Sequence, residues 1–153
     1  MKQIFILLSL IITFSTVSAQ NFDFSPLKEK SDYKKVEEQV KSASKYLIDT
    51  PINQDVIIRS QATKLVMKWM EGTPDYTFEL DARVLEITDD NSELFSLYLA
   101  SMTNVVLNHP HEKLSSDKIY KLSTKQLAEY CKNKENKLKP SKGLKKAMKN
   151  LDI

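Results

Sequence analysis

Both histidines of the chain stand in one run, His109-Pro110-His111-Glu112. Two imidazoles and a carboxylate are ligand types that zinc accepts, and a small metal-dependent hydrolase would use them to activate water. The spacing argues against that use. Ligand pairs on a helix sit three or four residues apart so that both leave one face, whereas here a proline separates the histidines in a loop. A histidine closing a helix also interacts favourably with the helix dipole, with no chemistry involved. His109, His111 and Glu112 are therefore weak metal candidates, and no cofactor is expected. Cys131, the one cysteine, would need a histidine as its base to act as a nucleophile. Its helical spacing beside Leu127 and Tyr130 fits a small buried hydrophobe better. A serine hydrolase would need a glycine-flanked nucleophile elbow, which is absent. No catalytic residue is assigned.

Charge is distributed unevenly. Between residues 71 and 93 stand Glu71, Asp75, Glu79, Asp81, Glu86, Asp89, Asp90 and Glu93 against the single Arg83. Carboxylate pairs serve glycan hydrolysis or calcium binding. Asp89-Asp90-Asn91 lacks the glycine and later ligands of a calcium loop, and helix capping accounts for Asp81, Asp90 and Glu93, so a solvated acidic face is expected. From Lys113 to Lys149, twelve lysines face three acids, Asp117, Glu129 and Glu135. Such a patch attracts anionic lipid or polymer surfaces. Every cation there is lysine rather than the bidentate arginine fork, which weakens a nucleic-acid reading. One further edge is a binding candidate: Trp69, Glu71, Asp75 and Tyr76 flank the turn at Gly72-Thr73-Pro74. Trp69 shares a stripe with Ala62 and Leu65, so core packing is the stronger expectation for that ring.

The elements that position these groups follow from composition and periodicity. Only two glycines, Gly72 and Gly143, occur in 153 residues. Phosphate-cradling loops and dinucleotide fingerprints need several close together, and are excluded. Charged residues at 28% and hydrophobic residues at 41% suit a folded chain, and the formal charge of +3 implies no partner by itself. Residues 1–19 read as a cleaved signal peptide: Lys2, an apolar run from Ile4 to Phe14, then Val17-Ser18-Ala19. The run is too short for a transmembrane helix, which takes about 18–20 apolar residues. No span is therefore expected in the mature chain. The expected division is a signal peptide at 1–19, a lead-in at 20–30 with Phe22, Phe24 and Leu27 as docking points, and one all-α domain at 31–153. A single cysteine leaves packing alone to hold that domain.

The pattern predicts a compact bundle of five or six amphipathic helices. The first runs from Ser31 to Thr50 through Tyr33, Val36, Val40, Ala43 and Leu47. Asn53 is the expected N-cap of the second, a central helix whose stripe is Ile58, Ala62, Leu65 and Trp69, widened by Val56, Ile57, Val66 and Met70. Gly72 is expected to stop it in the left-handed conformation, with Pro74 preventing a restart. Tyr76 to Leu80 alternates like a strand but has no partner, so an extended connector packing Tyr76, Phe78 and Leu80 onto the helices is expected. Asp81 then caps a short helix through Val84, Leu85 and Ile87. Asp90 and Glu93 have capping-box spacing for a helix ending near Asn108. Another starts at Ser115 or Ser116, with a possible break where Ser123 and Gln126 repeat that spacing. Leu144, Ala147, Met148 and Leu151 complete a last helix after Pro140.

The signal ending in Ser18-Ala19-Gln20, the stretch from Asn53 to Ala62 and the segment from Trp69 to Phe78 together resemble small exported proteins of Bacteroidetes, for which no activity is assigned. The resemblance covers about a quarter of the chain and implies export and helical content, without site residues. The function expected on these grounds is that of a non-enzymatic interaction module of the cell envelope, periplasmic or secreted, which docks another envelope protein or an anionic surface. The alternatives are the hydrolase built on His109, His111 and Glu112 and a lysine-rich binder of anionic envelope surfaces.

Overall fold

The computed structural model describes Phe22 and residues 27–153. The signal peptide read at 1–19, the start at Gln20 and Phe24 lie outside the described residues. Among the described residues the chain is all-helical, without strands: α1 (Lys30–Lys35), α2 (Glu37–Asp49), α3 (Val56–Gly72), α4 (Ala82–Thr88), α5 (Ser92–Leu107), α6 (Ser116–Lys132) and α7 (Lys142–Leu151), with one 3-10 turn at Lys134–Asn136. None of these helices is long and apolar enough to cross a membrane.

Helix α5 is the axis of the bundle. Its sequence is apolar or small on every side, the pattern of a helix enclosed by neighbours, and twelve of its 16 residues are buried. It packs against α2, α3, α4 and α6, while α7 sits across α4 and α6. This corrects the expectation that α3 is central: α3 touches α1, α2 and α5, but Val56 and Ile57 at its start stay 67% and 76% exposed. Phe22 and Leu27 dock into the core as expected, Phe22 with its ring 5.6 Å from Tyr46.

Among the described residues seven helices stand where five or six were expected, because the first divides. Val36 leaves helical geometry (φ −97°, ψ 1°) and separates α1 from α2. At this break the Tyr33 carbonyl accepts a hydrogen bond from the Trp69 indole at 3.1 Å, a tertiary partner replacing a helical one. Asn53 is not the cap of α3. That position falls to Asp55, left-handed at φ 45° and without a side-chain cap. The polar work at this corner is done by Arg59, whose Nη1 donates to the carbonyls of Leu47 and Thr50 and so covers the open end of α2. Gly72 is the last residue of α3 and not left-handed. A Cβ there would lie 2.0 Å from the Tyr33 hydroxyl, so close packing of that side chain is what glycine accommodates.

The connector after α3 is extended as expected, with Tyr76 and Phe78 half-buried, but Leu80 is 47% exposed and does not pack. Asp81 caps α4 by accepting from the Arg83 N–H at 2.9 Å, and Leu85 on that helix points outward, 61% exposed. The capping box expected from Asp90 and Glu93 does not form. Asp89 and Asp90 are both left-handed in the turn that ends α4, which moves the helix start one residue on, and Asn91 Oδ1 accepts from the Leu94 N–H at 2.9 Å. Asn91→Ala is therefore expected to lower stability by about 1 kcal/mol in urea denaturation, whereas Asp90→Ala removes no cap bond. Ser115 caps α6, which runs unbroken through Ser123. Ser123 is fully buried and Gln126 reaches Asn104 on α5, so their spacing is a tertiary feature and not a cap.

Candidate functional site

The C-terminal end of α5 turns outward at Asn108 and hands the chain to the loop 109–115. The extended connector from α3 to α4 runs beside it. Between these segments lies a cleft of about 780 Å³, and five of the seven candidate side chains line it: Asp75 and Tyr76 from the connector, His109, His111 and Glu112 from the loop. Two stretches read separately in the sequence thus meet in space. Val106, Leu114 and Ile119 supply an apolar floor, and Lys34, Glu79 and Lys113 add charge of both signs around it.

Each wall has an identifiable cause. Tyr76 is held by packing on the Trp69 ring (centroids 5.4 Å apart), and Phe78 meets the same ring edge-on at 6.0 Å. Burial, with the nearby Glu37 charge, pushes the Tyr76 hydroxyl above its ordinary pKa. Lys34 is fixed beside it by an ion pair with Glu37 at 2.9 Å, which raises the lysine's pKa. On the other wall His109 places Nδ1 2.7 Å from the Val105 carbonyl. A carbonyl only accepts, so Nδ1 donates the proton of this bond. Glu112 pairs with Lys118, and that hydrogen bond holds its carboxyl below the usual range. His111 and Asp75 are exposed.

The remaining candidates lie elsewhere. Trp69 is entirely buried, behind Tyr76 and outside the cleft, in agreement with the core expectation. Glu71 sits exposed at the end of α3, 3.6 Å from Lys68. Among the described residues no three His, Cys, Asp or Glu side chains are placed to hold a metal ion. Cys131 is buried, and burial pushes its thiol up to about 11. It is expected to ignore a disulfide reagent at pH 8 in the native protein and to react at once in denaturant, since only the thiolate attacks.

The acidic and basic stretches touch through few pairs. Lys146 meets Glu86 at 2.8 Å, joining α7 to α4, and Arg83 bridges Asp81 and Asp117 at 2.7 and 2.8 Å. All twelve lysines from 113 to 149 are exposed, and among the described residues only Lys118 and Lys146 of them have ion-pair partners.

A second cleft, of about 490 Å³, was not anticipated. Half of its ten lining residues are carboxamides: Asn104, Asn108, Gln126, Asn133 and Asn136, with Tyr130 and Glu129 beside them. The available sequence signal was Asn104, the one carboxamide in a helix of mostly apolar or small residues. Its partner Gln126 lies 22 residues away, beyond any local pattern.

Comparison with protein-family models, curated proteins and solved structures finds no match for this chain.

Proposed function

We propose that the mature chain works outside the cytoplasm as a non-enzymatic binding module of the cell envelope, with its partner docked in the cleft between residues 75–79 and 109–116. The observation that carries this reading is the convergence of Asp75, Tyr76, His109, His111 and Glu112 over a floor of Val106, Leu114 and Ile119. A volume of this size falls within the roughly 300–1,000 Å³ of ligand clefts, and here a wall of polar and charged side chains stands over an apolar base. Three of these groups are held in place, which suits recognition: Glu112 pairs with Lys118, His109 is anchored to the backbone and Tyr76 packs on Trp69, while Asp75 and His111 stand exposed. The test is capture from envelope extract on immobilised protein. Wild type is expected to retain a specific partner, and the double variant Asp75→Lys/His111→Glu, altered only at exposed positions, to lose it at least about tenfold, as expected when the charge pattern of a docking surface is changed. Equal retention by both, or no specific partner on wild type, contradicts the reading.

A second reading is supported by the exposed lysines of α6 and α7, of which Lys142, Lys145 and Lys149 lie on the outer face of α7 without ion pairs among the described residues. It makes this face a docking surface for anionic lipid. Binding to phosphatidylglycerol vesicles should then fall steeply as salt rises, and binding indifferent to salt contradicts it.

A further inference from the structure

Where α5 and α6 meet beyond the proposed site, Gln126 Nε2 donates to Asn104 Oδ1 at 3.1 Å. One bond joins two carboxamides and leaves their other halves unused. Gln126 Oε1 is buried without a hydrogen-bond partner, and Asn104 Nδ2 has none among the described residues. A free amide donor beside a free amide acceptor complements a peptide group, whose carbonyl accepts from one while its N–H donates to the other. Buried polar atoms are ordinarily satisfied, so an unused acceptor at a cleft wall points to a ligand atom.

The pair lies along a track and not in an isolated hollow. Asn104, Asn108, Gln126 and Glu129 line both the cleft of about 490 Å³ and an adjoining one of about 240 Å³. His109 lines the latter and also the cleft of the proposed site. Shared lining residues thus set the three side by side around the C-terminal end of α5. The lining favours a peptide, because an amide donor beside an amide acceptor matches the peptide group. Tyr130, the aromatic side chain beside this pair, is buried with its hydroxyl donating to the Thr50 carbonyl at 2.7 Å and offers no open ring face for sugar stacking.

We infer that this track takes an extended peptide segment, its backbone hydrogen-bonded to the Asn104–Gln126 pair and one apolar side chain seated on Val106, Leu114 and Ile119. The inference rests on the site proposed above and adds the chemistry of its occupant. A random heptapeptide phage library is selected on the immobilised full chain, and the enriched peptide is synthesised and titrated into isotope-labelled protein. The expected result is a sequence with one required apolar residue, which shifts the side-chain amide resonances of Asn104 and Gln126 together with His109. Gln126→Met is expected to weaken that peptide about tenfold while lowering the melting temperature by only about 2–4 °C, the cost of the lost bond to Asn104, and the wild-type shift map stands whether or not this variant folds. Failure to enrich any peptide overturns the inference. So do shifts confined to Tyr76, His109 and His111, although these leave the proposed site standing. An N-acetylglucosamine trimer that moves the Asn104 and Gln126 resonances where the peptide does not overturns it in favour of a glycan.

Discussion

Trp69→Ala is expected to lower unfolding stability by about 3–5 kcal/mol, the range for emptying a large buried aromatic site. The indole is fully buried, contacts Tyr76 and Phe78, and donates from Nε1 to the Tyr33 carbonyl. Truncation opens a void at the join of α1, α3 and the connector and orphans that carbonyl at once. Trp69→Phe should cost less, because it keeps a ring in place and loses mainly the hydrogen bond, a net contribution of about 1 kcal/mol. Urea unfolding followed by circular dichroism measures both, since the variants remove the only tryptophan. Domains of this kind are stable by roughly 5–15 kcal/mol, so the alanine variant takes a large share of the total. It should also weaken cleft binding although Trp69 touches no ligand, because Tyr76 loses the surface that holds it.

Gly143→Ala is the second large effect. A Cβ at Gly143 would lie 2.0 Å from the Glu86 carbonyl oxygen and 2.6 Å from its carbon. Both atoms are backbone of α4, so relief requires α7 to move away. That movement also strains the bond from Ser141 Oγ to the Ile87 carbonyl, 2.6 Å, and the Lys146–Glu86 pair. Alanine inside a helix gains at most about 1 kcal/mol of propensity over glycine. Overpacking against fixed backbone costs about 1–3 kcal/mol and sometimes more. The clash wins, and a net loss of about 2 kcal/mol or more is expected by urea denaturation. Gly72→Ala makes the instructive contrast, because its obstacle is the Tyr33 ring, a side chain able to swing aside. Its loss should be smaller.

These two glycines also mark the limit of what a linear reading reveals. Helical class and most helix positions are legible because amphipathic spacing, Asp81, Ser115 and Pro140 are local signals. Asp90 and Ser123 mislead, since a capping pattern is necessary for a cap without being sufficient. At Asp90 the left-handed turn before α5 decides, and at Ser123 burial within α6 decides. Gly72 reads as a helix stop and is in truth a contact point, set by a tyrosine far along the chain. The same distinction governs the candidate site. Its residue types stand out in two short runs, but that Asp75 and Tyr76 face His109, His111 and Glu112 follows only from how α3 and α5 deliver their ends. The carboxamide track is less legible still, since asparagines and glutamines in scattered positions ordinarily signify turns and surfaces.

The most direct test of the central claim, that the cleft is where this module meets its partner, is site-specific photo-crosslinking in envelope extract. A benzophenone amino acid is placed at His111, on the cleft rim, or at Met67, exposed on the outer side of α3. A discrete crosslinked product from position 111 and none from position 67 is the result predicted. Identical products from both positions, or a product from position 67 alone, would contradict the account.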